Sequence, residues 1–359
     1  MIKISIILPC YNVAQYIERC LNSIIVQNFK EFEIIIINDG STDNILEVCS
    51  KYLKDERIKI YTFENQGLSQ ARNEGLLLAK GEYVYFCDPD DYINQETLNT
   101  IYKKAKEGDY DAVHFGFKTI YEDQGGINYD SKEIPRIYQS NHEIITEYLP
   151  KFIGIGQEDL NQWKEVGNIW SLKEFSGVWR FLYKREVLIS NNVFFRKGIT
   201  LFEDKLFNAL FFLYANKICC IDNVFYNYVI KEKGLLTSSL NSNKLVNDKI
   251  NGIQERRLLR ELYLSKKNID IFPMYIGTSV LSLLEIILRT SNLNIRSYIS
   301  GIKRYANLNE VKNGIKYINL EGTPIKIKIA IYLLKCKLML PLALIYKIVN
   351  KFVNLKISV

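Results

Sequence analysis

Three short apolar runs, each ending abruptly in polar residues, constrain this chain more than any other feature. Lys3–Leu8 runs into Pro9-Cys10-Tyr11-Asn12, Glu33–Ile37 into Asn38-Asp39-Gly40, and Glu82–Cys87 into Asp88-Pro89-Asp90-Asp91. Short runs this uniformly apolar read as strands buried on both faces. Arg57–Phe63 and Ala112–Phe117 read as two more. Helical spacing fills the gaps: Ala14–Gln27 with Ile17, Leu21, Ile24 and Ile25, a helix to about Leu53 capped by Ser41 or Thr42, Leu68–Ala79 closed by Lys80-Gly81, and Gln95–Lys106. Strands alternating with helices predict an α/β fold with a mainly parallel sheet covered on both faces. In such sheets ligands bind beyond the carboxyl ends of the strands, so the three polar clusters are expected to converge on one edge.

Charge and cysteine usage narrow the partners. The net charge of +7 resides in residues 323–359, which hold seven lysines and no acid, and the preceding residues are neutral overall. Leu338–Tyr346, the longest uncharged stretch there, is nine residues and contains Pro341, too short to span a bilayer. A basic amphipathic segment of this kind suits a membrane surface, or packs as a helix with its lysines in water. Nucleic acid is a poor partner for so apolar a basic stretch. The cysteines number seven, without a CxxC pair, and are expected to be reduced thiols in a cytosolic protein. Two distant histidines, His114 and His142, argue against a zinc site. A strand pattern starts at Ile2, with no basic segment followed by a long apolar run, so no secretory signal is expected.

Asp88-Pro89-Asp90-Asp91 places three carboxylates in four residues at a strand end. Like charges so close are tolerated when solvated or when a cation joins them, and an oxygen-only set suits a hard ion such as Mg²⁺ or Mn²⁺. Taken singly, each motif has an ordinary structural reading: Asp-Pro-Asp-Asp as a turn and cap, Asn-Asp-Gly as a tight turn, Arg72 as a solvated helical arginine, Glu203-Asp204 as acids at a helix N-terminus. Trp170 and Trp179 read equally as sugar-stacking or as buried residues. Lys184-Arg185 reads as phosphate-facing or merely exposed, and His114 as structural.

Together, Ile6 through Asn12, Asn38 through Asp43, Asn65 through Asn73, Asp88 through Asp91, and Trp179 through Arg185 followed by Phe202-Glu203-Asp204 resemble the ordered signature of family 2 glycosyltransferases over residues 1–230. The resemblance implies the A-type glycosyltransferase fold (GT-A) with a nucleotide-binding sheet and a C-terminal helical region. The expected divisions are a nucleotide-sugar-binding part over 1–120, an acceptor-binding part over 121–230, and a helical region over 231–359 ending in the basic tail 323–359.

It also implies roles. Asp39 would read the nucleotide base, Pro9 and Tyr11 line the base and ribose, and Arg72 close over the nucleotide. Asp88 would face ribose or sugar, Asp90 ligate Mn²⁺ or Mg²⁺, and Asp91 orient the donor sugar or stand behind the metal. Asp204 would be the catalytic base, with Glu203 as its alternate. The implied activity is inverting, metal-dependent transfer of a sugar from a nucleoside-diphosphate donor, a UDP-sugar, to a hydroxyl of a growing, lipid-linked cell-surface glycan, at the inner face of the plasma membrane. The competing classes are a nucleotidyltransferase or dehydrogenase, against which the absence of a glycine-rich loop after the first strand speaks, and a non-catalytic partner subunit with the same fold.

Overall fold

The computed structural model of the chain describes residues 1–121, 126–131, 134–199, 202–230, 243–291 and 293–352. Contacts divide the chain into two units, Met1–Tyr148 with Ser176–Glu232, and Leu149–Phe175 with Lys233–Val359.

The first unit is built on a sheet of ten strands among the described residues. These are β1 (Ile4–Cys10), β2 (Phe32–Asp39), β3 (Ile58–Phe63), β4 (Tyr83–Phe86), β5 (Tyr92–Ile93), β6 (Ala112–Tyr121), β7 (Gly126–Ser131), β8 (Arg136–Tyr138), β9 (Phe181–Lys184) and β10 (Ile218–Ile230). Helices α1 (Ala14–Ile25), α2 (Ile45–Ser50), α3 (Leu68–Leu78) and α4 (Thr97–Glu107) fall where the periodicity puts them. The strand order is β3-β2-β1-β4-β9-β6-β10-β5, with β7 on β6 and β8 on β10. β1 pairs in parallel with both β2 and β4, so the order reverses beside β1, and the crevice between its end and that of β4 is where such sheets bind ligands.

β9 is antiparallel to β4 and to β6, and β6 is parallel to β10, so β1–β4, β6 and β10 all point one way. The sheet is thus mainly parallel as expected, but it is mixed. The reversed β9, inserted between β4 and β6, was not legible as a strand in Trp179–Arg185. Every residue of β1 and β2 is buried, and Ile17, Cys20, Leu21 and Ile24 of α1 cover one face. On the other face Gly75 lets α3 sit directly on β1: a Cβ there would lie 2.3 Å from Ile7 Cγ2.

Two expected caps are corrected. Gly81 is absent from the residues with positive φ, and α3 ends at Leu78 with Ala79 extended. Gly81 is small because the chain passes close to β1, where a Cβ would meet Ser5 N at 2.5 Å. Its N–H and that of Lys80 donate to Ser5 Oγ at 2.8 and 3.1 Å. Ser41 and Thr42 do not cap α2. They bind Asn12 instead: Asn12 N–H donates to Ser41 Oγ at 3.1 Å and Thr42 N–H to Asn12 Oδ1 at 2.8 Å. Asp43 Oδ2 then accepts Ala14 N–H at 2.8 Å, capping α1 from the loop after β2. The loops after β1 and β2 are therefore cross-linked by their own polar side chains.

The second unit is helical. Ile276–Arg289 is buried along most of its length, and the helices Asn243–Lys267, Ile295–Ala306, Asn309–Tyr317 and Met339–Phe352 pack against it. Segment 149–175, expected to belong with the acceptor-binding part, packs here. Arg256 Nε donates to Ile153 O at 2.7 Å, Thr278 Oγ1 accepts Ile155 N–H at 2.6 Å, and Lys164 N–H donates to Gly322 O at 3.0 Å. Residues 353–359 of the basic tail lie outside the described residues.

Candidate active site

The loops beyond β1, β2 and β4 carry the expected residues of the donor side. Pro9 is buried near the end of β1, past the reach of the β4 pairing, where its missing N–H leaves no gap in that ladder. Tyr11 follows it and is 50% exposed, leaving a ring face available to a ligand. Asp39 ends β2. Its two oxygens accept the N–H groups of Gln66 and Gly67, each at 2.8 Å, so the carboxylate holds the turn that starts α3. Each oxygen keeps a second lone pair that could accept from a base N–H.

Arg72 is the centre of the site. Its side chain is 1% exposed and stands between carboxylates from distant parts of the chain. One terminal nitrogen donates to Asp88 Oδ1 at 2.9 Å. The other donates to Asp204 Oδ1 at 2.7 Å and lies 3.6 Å from Glu203 Oε1. Burial opposes the guanidinium charge, but Asp204, Asp88 and Glu203 overcome it and raise the pKa further. The Arg72 guanidinium joins the end of β4 to the acid pair as a strut.

Glu203 and Asp204 open the helix Glu203–Phe212, whose N-terminal dipole favours acids. The preceding Phe202 is left-handed at φ 70°, an unusual conformation for a bulky residue and a strain of roughly 1–3 kcal/mol. That sharp turn delivers both carboxylates to Arg72. Asp204 Oδ2 also accepts Val178 N–H at 3.3 Å. Burial, then the charge of Asp204, push the Glu203 carboxyl up to about 7 against the pull of Arg72. Asp88 is also raised, by burial first, with Arg72 opposing and Asp90 and Asp204 adding to the rise.

The three aspartates after β4 do different things. Asp88 faces Arg72. Asp90 is half-buried, and its backbone carbonyl is fixed by Arg19 Nη2 at 2.8 Å. Asp91 is buried, and both its oxygens accept from β10: Tyr226 OH at 2.6 Å and Val229 N–H at 2.7 Å. Burial first, then Asp90 and Asp88, raise its pKa well above the ordinary value. Asp91 thus braces the loop after β4 to the sheet. Tyr226 OH in turn accepts Asp88 N–H at 3.2 Å.

Tyr226 and Tyr228, two residues apart on one face of β10, were missed by sequence reasoning. Their only signal is the alternation Phe225-Tyr226-Asn227-Tyr228, which any half-buried strand could show. Trp179 lies in a stack between them, with centroids at 4.2 Å from Tyr226 and 5.5 Å from Tyr228, and is 2% exposed. It is a core residue, while Trp170, in the other unit, is exposed. Lys184 pairs with Asp109 at 2.8 Å on the surface. His114 is buried, stacked on Phe181 at 4.2 Å, with Tyr148 OH 2.8 Å from Nδ1.

The donor set fits a hard divalent cation. It consists of carboxylate oxygens: Asp88, Glu203 and Asp204 share the one Arg72 guanidinium, and Asp90 is close enough to Asp88 to raise its pKa. Among the described residues no cluster of three or more His, Cys, Asp or Glu side chains would enclose an ion. A cation here would complete its shell with phosphate oxygens and water.

The family model for Glycosyl transferase family 2 matches residues 5–165. The chain is 33% identical over 226 residues to "Uncharacterized glycosyltransferase EpsJ" of Bacillus subtilis, a match covering 63% of this chain and 60% of that protein. It is 31% identical over 227 residues to "Glycosyltransferase GlyG" of Streptococcus pneumoniae, covering 63% of this chain and 70% of the relative. The solved structure of S. aureus TarS 1-349 in complex with UDP aligns with a TM-score of 0.57 at 18% identity, covering 98% of this chain and 91% of that one. At that identity the likeness concerns the fold, which is the A-type one. From the matched segment and the coverage of GlyG, the chain belongs to glycosyltransferase family 2.

Proposed function

We propose that this chain is an inverting, divalent-metal-dependent glycosyltransferase that takes its sugar from a UDP-sugar. The observation that carries this is Arg72 bridging Asp88 and Asp204, which sets a donor-side carboxylate and a candidate base on opposite ends of one rigid guanidinium. The UDP bound to TarS supports the choice of nucleotide.

In this reading Asp39 and Tyr11 receive the base, and Asp90, with Asp88 beside it, would hold Mn²⁺ or Mg²⁺. A cation there would stabilise the negative charge that grows on the departing diphosphate. Asp204 takes the proton of an acceptor hydroxyl as the oxygen bonds to the anomeric carbon. The bond from that carbon to the diphosphate oxygen breaks on the opposite face, which inverts the anomeric configuration. Glu203, poised near neutrality, is the alternate base. The acceptor is a glycan hydroxyl, carried on a lipid at the cytoplasmic membrane face. The lysine-rich C-terminal helices support that setting, and no helix among the described residues is long and apolar enough to cross a membrane.

The test is a panel of nucleoside diphosphates and nucleotide sugars, read by thermal shift with and without Mn²⁺, then by transfer. Protection by UDP with Mn²⁺, stronger than by either alone, and loss of transfer in Asp204→Asn are expected. A chain that ignores every nucleotide in the panel is not a sugar transferase.

A further inference from the structure

The helix Ile325–Lys335 is apolar on two opposite sides. Ala330, Ile331 and Leu334 are buried within the helical unit, as an amphipathic surface helix requires. Ile325, Ile329 and Tyr332 are four and then three residues apart, so they form a single stripe on the other side, and they are 66%, 55% and 65% exposed. Cys336 extends the stripe, and Leu338 beyond it is also exposed. Helical spacing puts Lys326 on one flank of the stripe and Lys328 and Lys335 on the other. Packing on the protein accounts for the first apolar side and leaves the second unexplained. A helix whose only task is to cover the unit would carry polar residues there.

The charges indicate the occupant. No acid occurs from residue 323 to the end of the chain. Lys326 and Lys337 are exposed and Lys328 is half-buried. By contrast, Lys347 on the next helix is spent internally: its ammonium donates to the carbonyls of Ser291 and Leu293 at 2.5 and 2.6 Å, over the Tyr298 ring. Lys335 donates to Ile318 O at 3.1 Å. Among the described side chains of this segment, the cations left for an outside partner are thus Lys326 and Lys328 beside the stripe and Lys337 just past the helix. An apolar ridge rimmed by cations, with no counter-charge of its own, complements an anionic lipid surface: the ridge enters the acyl boundary while the lysine stems reach back to the phosphates.

We infer that Ile325, Ile329 and Tyr332, with Lys326, Lys328 and Lys337, form the face by which this protein docks on an anionic bilayer, with the helix Ile325–Lys335 lying in the plane of the interface. This deepens the proposed function and rests on its lipid-linked acceptor for its purpose, but the docking itself is independent of transfer.

The test is flotation of the full chain with vesicles of phosphatidylcholine alone and of phosphatidylcholine mixed with phosphatidylglycerol. UDP-dependent thermal protection is measured on the same samples. The wild type is expected to float with the anionic vesicles and not with the neutral ones. Ile329→Ser/Tyr332→Ser and Lys326→Glu/Lys328→Glu are each expected to lower partitioning at least tenfold while leaving UDP protection unchanged. Wild-type protein that stays off anionic vesicles yet responds to UDP overturns the docking face and leaves the transferase reading intact. Flotation without any response to UDP does the reverse. Flotation unaltered by both double substitutions, or a lipid-free dimer that Ile329→Ser/Tyr332→Ser dissociates, also overturns it, the latter by assigning the stripe to a second copy of the chain.

Discussion

Arg72 and Asp204, separated by 132 positions, meet at 2.7 Å through Nη1 and Oδ1. The bond joins α3, which follows the third strand, to the helix that opens with the acid pair. Asp88 binds the other end of the same guanidinium, so one buried cation registers the two halves of the site.

Removing that cation should be severe. Arg72→Met leaves Asp88, Glu203 and Asp204 facing one another without compensation, and breaking a buried pair from one side costs about 3–5 kcal/mol. The three carboxylates retain some exposure, which places the expected loss toward the lower end. Urea denaturation measures it. An Arg72→Met protein as stable as the wild type would show that the guanidinium is not a strut.

Asp90→Ala should separate metal binding from folding. The side chain is half-buried, so the melting temperature without ligand is expected to stay within a few degrees of wild type. The extra protection that Mn²⁺ gives in the presence of UDP should vanish, and transfer with it. Full activity in Asp90→Ala would remove this residue from the metal site.

Tyr226→Phe deletes the donor to Asp91 and the acceptor for Asp88 N–H, leaving buried polar groups unsatisfied. The expected cost is about 1–3 kcal/mol, with a fall in transfer because the loop after β4 loses its brace. Urea denaturation reads the cost, and a Tyr226→Phe protein as stable and as active as the wild type would show that the hydroxyl does not brace the loop.

Glu203 should make stability depend on pH with a definite sign. Burial and the charge of Asp204 push its carboxyl up to about 7 in the folded protein, above the ordinary value of 4.5. Between those values the folded state binds more protons than the unfolded one, so stability falls as pH rises through the window. The full difference is on the order of 3 kcal/mol. Glu203→Gln is expected to remove this slope, matching the wild type near pH 4.5 and exceeding it in melting temperature above pH 7. Parallel stability curves for the two proteins from pH 4.5 to 8 would contradict the assignment.

The pH profile of transfer distinguishes the two candidate bases. If Asp204 accepts the proton, Glu203→Gln retains activity and loses any rate limb near pH 7. If Glu203 accepts it, Glu203→Gln is inactive and Asp204→Asn keeps measurable transfer.

The sequence by itself determined the alternation of strands and helices, the three polar strand ends and the acid pair, because each is written within about ten consecutive residues. Apolar runs of strand length, helical spacing and carboxylates after an apolar run are local signals that burial in the folded protein only confirms. Tertiary structure decided what lies beside what. The insertion of β9 between β4 and β6, the bracing of Asp91 by Tyr226, and the packing of 149–175 with the C-terminal helices are pairings across long stretches of chain, and no local pattern encodes a partner's address. The same holds for the meaning of individual residues. Arg72 reads as an ordinary helical arginine until burial strips its water and three carboxylates replace it, and Ile325, Ile329 and Tyr332 belong to a segment that reads as membrane-facing or as packed until the fold leaves them outside.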